Sequence, residues 1–229
     1  MISLYSGTPG SGKSLHAAQR VRAALKHYRP VIGTFHINKE RLFKNSKYEY
    51  TYVNIYKLTP KFLVEYAKKN LDRSKKNPEG SFLLVIDEAQ RIFNSRAWNS
   101  EDRNDWITFF AEHRHLGFDV ILISQSDRML DRQIRALLEY NVIHRKLSQC
   151  GFMGKLFSIF LGQFVVVETW YPMKERISGY YYRGEKKLYD FYDSFEDFAA
   201  AEDGGTQGAP SDDAAEYLKK LQNCTSLSN

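Results

Sequence analysis

The chain opens on a short apolar run, Met1-Ile2-Ser3-Leu4-Tyr5-Ser6, followed by closely spaced glycines and then a helical pattern over 15–22. An apolar run of that length bounded by turn residues predicts a strand, and the 3.6-residue spacing after it predicts a helix. Arg29-Pro30 breaks the helix, and 31–37 reads as a second strand. Residues 39–47 are basic and irregular, and 48–53 alternate as a strand does. Thr59-Pro60 places an N-cap and an N1 proline ahead of a helix over 61–71. Two further runs, 81–86 and 118–124, are apolar over most of their length, without alternation in 82–86 and 120–123. Runs apolar on both faces suit central parallel strands covered by helices.

Between those runs, Trp106, Phe109 and Phe110 recur at helical spacing behind an Asn99-Ser100 cap, and Gly117 closes the helix. These aromatics read as core. Residues 127–140 read as a helix stopped by Asn141, and 142–147 as a strand. Past Cys150 the texture changes to aromatic runs punctuated by glycine, which predicts three antiparallel strands at 156–161, 163–171 and 177–183. From 196 onward Ala, Asp, Glu and Gly dominate, and disorder is expected. The division that follows is a core at 1–149, a β-rich extension of the same domain at 150–195 and an acidic tail at 196–229.

The chemistry concentrates where the apolar strands end. Gly7-Thr8-Pro9-Gly10-Ser11-Gly12-Lys13-Ser14 fits G-x-x-x-x-G-K-[ST], the Walker A pattern, and Leu15 starts the helix behind it. Glycines let backbone amides close on phosphate, Lys13 supplies a point charge for the β- and γ-phosphates, and the Ser14 hydroxyl is a hard ligand for Mg²⁺. The helix dipole points at the same spot. The second anchor is the run 81–86 capped by Asp87 and Glu88, the form of a Walker B strand. Asp87 is the candidate metal ligand and Glu88 the candidate base for an attacking water. Gln125, at the tip of the next apolar strand, is the candidate sensor of the γ-phosphate. The pattern therefore predicts an α/β P-loop NTPase using ATP and Mg²⁺. Its sheet is largely parallel with helices on both faces, and a small aromatic antiparallel appendage follows near the C-terminus. Arg91, Arg114, Arg128, Arg132 and Arg135 are all open as arginine fingers for a neighbouring subunit, and spacing does not choose among them.

Charge adds a partner. The net charge is +6, but the nine acidic residues of 190–216 stand without a single base, which leaves the preceding residues strongly basic. A basic body invites nucleic acid or an anionic surface. The aromatic extension interleaves Lys155, Lys174, Arg176 and Arg183, which suits either single-stranded nucleic acid or simple packing on the main sheet. The two cysteines, Cys150 and Cys224, make no disulfide framework. The longest apolar stretch, 156–167, is too short to span a bilayer as a helix, which takes about 20 residues.

Four stretches carry a family resemblance: the opening 1–17, Val85-Ile86-Asp87-Glu88-Ala89-Gln90-Arg91-Ile92-Phe93, Glu112-His113-Arg114-His115-Leu116-Gly117, and Val120-Ile121-Leu122-Ile123-Ser124-Gln125. Together they resemble the zonula occludens toxin (Zot) family, which includes the gene I assembly protein of filamentous phages and lies near the HerA–FtsK motors. The resemblance covers about residues 1–190. It implies an ATPase, working as a homo-oligomeric ring, that drives extrusion of single-stranded phage DNA while coat proteins assemble at the host inner membrane. It implies location at the cytoplasmic face, with membrane attachment through a partner or a further C-terminal segment, as family members usually carry a transmembrane helix and a periplasmic domain. It also supports Gln125 as the strand-tip sensor. A DNA-packaging or translocating motor and a nucleotide-gated adaptor that hydrolyses little ATP are the alternatives, and Glu88 speaks against the adaptor.

Overall fold

The structure is a computed structural model. It describes residues 1–38, 49–72, 78–95, 102–149, 158, 160, 162–189 and 191–193. In chain order the elements begin with β1 (Ile2–Ser6), α1 (Lys13–Lys26), β2 (Val31–Gly33), β3 (His36–Ile37) and β4 (Tyr50–Tyr52). They continue with α2 (Pro60–Asn70), β5 (Phe82–Ile86), α3 (Arg103–Glu112), β6 (Phe118–Ile123) and α4 (Arg132–Ala136). The last are β7 (Tyr140–Lys146), β8 (Phe164–Trp170), β9 (Glu175–Tyr182), α5 (Lys186–Tyr189) and β10 (Tyr192–Asp193).

Eight strands form one sheet in the order β4-β2-β5-β6-β1-β7-β8-β9. From β4 to β7 every neighbour is parallel, and β8 and β9 then continue the same sheet antiparallel. β1 lies between β6 and β7, so the strand that feeds the glycine-rich loop is interior to the sheet. β3 and β10 pair separately.

Alternation along each strand divides the core in two. Ile2, Leu4, Leu84, Ile86, Val120 and Leu122 face a cluster completed by Phe62, Tyr66, Trp106, Phe109 and Phe110 from α2 and α3. Tyr5, Leu83, Val85, Ile121 and Ile123 face the opposite cluster, which α1 fills with Ala17, Ala18, Val21 and Leu25. That is the two-sided covering expected of parallel strands apolar on both faces. Thr59 caps α2 by accepting from Phe62 N–H at 3.2 Å, as its sequence predicts.

Several expectations change. The run 31–37 is two strands in two sheets, because Thr34 and Phe35 turn out of β2: Thr34 N–H donates to Val85 O and its hydroxyl accepts from Asp87 N–H. The helix expected over 127–140 is a 3₁₀ turn (Asp127–Met129), an extended Leu130 and the short α4. Ser126 and Asp131 each accept from a backbone N–H two residues on, so the chain is capped twice and starts again twice. Leu130 also bridges to Asn94. Asn141 therefore stops no helix; it lies in β7, and its Oδ1 accepts from the Ser6 hydroxyl at 2.8 Å. Of the strand expected at 156–161, only Ser158 and Phe160 are described, and both are helical. The irregular stretch 39–47, the cap at Asn99-Ser100, Lys155, both cysteines and the acidic tail 196–229 lie outside the described residues.

Candidate nucleotide site

The loop between β1 and α1 carries three left-handed or glycine-only conformations, Gly7 (φ 145°), Gly10 (φ 71°) and Gly12 (φ 92°). At two of them space is also short. A β-carbon on Gly7 would run into the carbonyl oxygen of His144, and one on Gly12 into the Tyr182 hydroxyl and the Phe164 ring. Only glycine meets both demands there. Thr8, Pro9 and Gly10 are exposed at the crest, while Ser11, Lys13 and Leu15 are buried. Lys13 Nζ donates to the carbonyls of Gly7 (2.8 Å) and Thr8 (3.1 Å). Burial holds the Lys13 pKa below the ordinary lysine value, against the opposing pull of Glu88 and Asp87.

β5 and β6 bring the remaining predicted residues to the same edge of the sheet. Ser14 Oγ donates to Asp87 Oδ2 at 3.3 Å. Asp87 is fixed on both sides, its N–H on Thr34 Oγ1 (2.8 Å) and its Oδ1 accepting from Glu88 N–H (2.8 Å). Glu88 adopts φ 49°, uncommon for a residue with a side chain, and its carboxylate accepts from the Gln90 side-chain amide. Gln125 arrives differently than expected: its side chain is exposed, and its backbone carbonyl accepts from Gly7 N–H at 3.2 Å. Of the arginines, Arg91 and Arg128 are exposed on the turns after β5 and β6, at the loop's edge of the sheet, and Arg132 is exposed on α4. Arg135 lies against Tyr171. Arg114 is bonded to Glu139 (2.5 Å) at the opposite edge, where His113 and Asp119 hold the Met1 amino group.

Beneath the loop runs a buried polar chain that sequence reasoning missed. His144 Nδ1 donates to Ser6 O (3.3 Å), so its Nε2 carries the lone pair that accepts from His16 Nδ1 (2.9 Å). His16 Nε2 in turn accepts from the Tyr180 hydroxyl (3.1 Å). Both rings are thereby neutral with assigned tautomers. The Tyr5 ring stacks on His16 with centroids 4.8 Å apart. Burial drives His16 down to about 3, with His144 and Arg20 adding to it, and burial takes His144 down to about 4. Beside this chain Tyr182 donates to the Gly12 carbonyl (2.5 Å), and its ring stacks on Phe164 at 5.0 Å. The aromatic hairpin is thus wedged under the nucleotide loop. The only advance signal was the unusual density of aromatics after residue 163.

A largely parallel sheet with helices on both faces, a glycine loop from an interior strand into a helix, and an acidic pair at the tip of β5 define the P-loop NTPase fold. The chain belongs to the Zonular occludens toxin (Zot) family, whose model matches residues 1–197. It is 32% identical over 144 residues to ORF301 of Pseudomonas phage Pf3, a candidate assembly protein; the match covers 62% of this chain and 42% of that protein. The chain spans less than half the length of the curated relatives it matches. Its fold is similar to the N-terminal domain of zonular occludens toxin from Neisseria meningitidis, with a TM-score of 0.53, 20% identity and coverage of 84% of this chain and 98% of that one. It is also similar to the genome-packaging NTPase B204 of Sulfolobus turreted icosahedral virus 2, solved with ATP-gammaS, at a TM-score of 0.50, 18% identity and coverage of 78% and 96%. Among the described residues no helix is long and apolar enough to cross a membrane.

Proposed function

We propose that this chain is a Mg-ATP hydrolase that powers filamentous phage assembly and the extrusion of single-stranded phage DNA at the host inner membrane. The observation that carries the reading is the Ser14–Asp87 contact at 3.3 Å, with Glu88 following directly. A hydroxyl and a carboxylate oxygen so close together are hard ligands that fit Mg²⁺. When bound there, the ion neutralises charge on the β- and γ-phosphates.

Lys13 is the point charge for those phosphates, and the amides from Gly7 to Leu15 cradle them. Glu88, steadied by Gln90, takes the proton of the attacking water. Gln125 reports the γ-phosphate to the sheet through its backbone contact with Gly7. The exposed positions of Arg91 and Arg128 at the loop's edge suit a finger reaching a neighbour's site in a ring, and the Arg114–Glu139 pair makes that residue the weakest candidate. The assembly role rests on membership of the family and on the candidate role that the Pf3 protein's name gives it. Coat or membrane assembly proteins are the expected partners, with attachment to the cytoplasmic face through a partner or a further segment.

The test is steady-state ATP hydrolysis by the wild type and Glu88→Gln, with and without single-stranded DNA. Turnover that DNA stimulates and the variant lacks, while still binding ATP, is the expected result. Unchanged turnover in the variant rejects Glu88 as the base. Bound ATP with no turnover in any condition favours a nucleotide-gated adaptor, or a motor that turns over only when assembled with its membrane partner.

A further inference from the structure

The nucleotide loop has two flanks of different chemistry. Toward β5 stand Asp87 and Glu88, the acids that belong at the γ-phosphate end. Toward β7 and β8 the contacts of the loop are aromatic and apolar: Gly12 lies on Phe164 and Tyr182, and Leu15 lies against Gly184. A loop that orders the phosphates along its amides sends the nucleoside out on the flank away from the metal pair. On that flank, against Leu15 of α1 through Gly184, sits the half-exposed ring of Tyr189 of α5.

Its placement is built rather than incidental. A β-carbon on Gly184 would stand 2.6 Å from the Tyr189 hydroxyl, 2.8 Å from its Cε2 and 2.9 Å from Leu15 Cδ2. The absence of a side chain at Gly184 is what lets the ring approach the first turn of α1. The Tyr189 hydroxyl donates to Gln163 Oε1 at 3.4 Å, which steadies the ring from the start of β8. Leu188, next to Tyr189, is fully buried against the α1 side of the core and anchors the segment. Half of the ring remains open to solvent. A flat, anchored, half-exposed aromatic surface stacks on any nucleobase, and purines offer it the larger face.

We propose that Tyr189 is the stacking platform for the base of a purine nucleoside triphosphate, held in place by Gly184 and Gln163. The inference rests on the nucleotide-site reading above, and the experiment separates the two. Binding of ATP and of inorganic tripolyphosphate to the full chain is measured by calorimetry at fixed magnesium. Tripolyphosphate carries the phosphates without a base. Tyr189→Ala weakens ATP about thirtyfold, the middle of what aromatic stacking contributes, and leaves tripolyphosphate unchanged. Tyr189→Phe keeps ATP affinity within about twofold, because the ring is what stacks. Tyr189→Leu retains apolar packing without a flat face and behaves like the alanine variant, which separates stacking from folding. Lys13→Ala weakens both ligands. ATP binding that survives Tyr189→Ala, or an equal loss for tripolyphosphate, overturns the platform and leaves the phosphate site standing. Failure of the wild type to bind either ligand overturns both readings.

Discussion

Lowering the pH from 7 to 5 should strip several kcal/mol from this fold through one buried pair, His16 and His144. Both folded values, about 3 and about 4, lie below that of histidine in an unfolded chain. The unfolded chain therefore takes up protons first as pH falls. Stability that depends on the rings being neutral is complete above about pH 6.5 and is lost as pH drops toward 4. From 6.5 to 5 is about 1.5 pH units at about 1.4 kcal/mol per proton, or about 2 kcal/mol for each ring and about 4 for the pair. Burial explains why neither ring yields early, and a proton on His144 Nε2 would in addition face the N–H of His16. Lys13 and Arg20 add positive charge nearby. Urea unfolding at pH 7 and pH 5 measures the loss. His113, held down chiefly by burial, contributes with the same sign, so the comparison is between slopes. A His16→Gln, His144→Gln double variant should lose most of the pH dependence. A wild type equally stable at both pH values, or a double variant with the wild-type slope, would refute the reasoning.

Tyr182→Phe removes the donor to the Gly12 carbonyl and should cost about 1–2 kcal/mol, while weakening ATP binding severalfold; thermal melting and calorimetry check both. Trp106→Ala opens a cavity where the indole packs against Phe93 and Phe110, and should lower stability by about 3–5 kcal/mol in urea titrations at pH 7. Deleting 200–229 should leave ATP turnover at the wild-type rate, since none of the site residues lies there; a dead truncation would assign that tail a role in the site.

What the amino-acid sequence determined by itself is the set of features written in adjacent residues. The glycine loop and its lysine, the two strands apolar on both faces, the acids at the tip of the first and the capped α2 all follow from local spacing. So does the core role of Trp106, Phe109 and Phe110, each buried as their periodicity requires. Where competing caps interrupt a polar stretch, as at Ser126 and Asp131, propensity over 127–140 suggested one helix, and the side-chain bonds made two short turns instead. Tertiary structure alone decided the rest. His16 meets His144 across 128 positions, Asp87 leans on Thr34 across 53, and Tyr182 reaches Gly12 across 170. The aromatic hairpin proved to be a continuation of the main sheet because β7 offers its free edge to β8. Periodicity reports which side of a segment is buried, since burial repeats with the element's own geometry. It does not report which distant segment supplies the partner, because that depends on strand order, and the placement of β1 between β6 and β7 is a property of the assembled sheet.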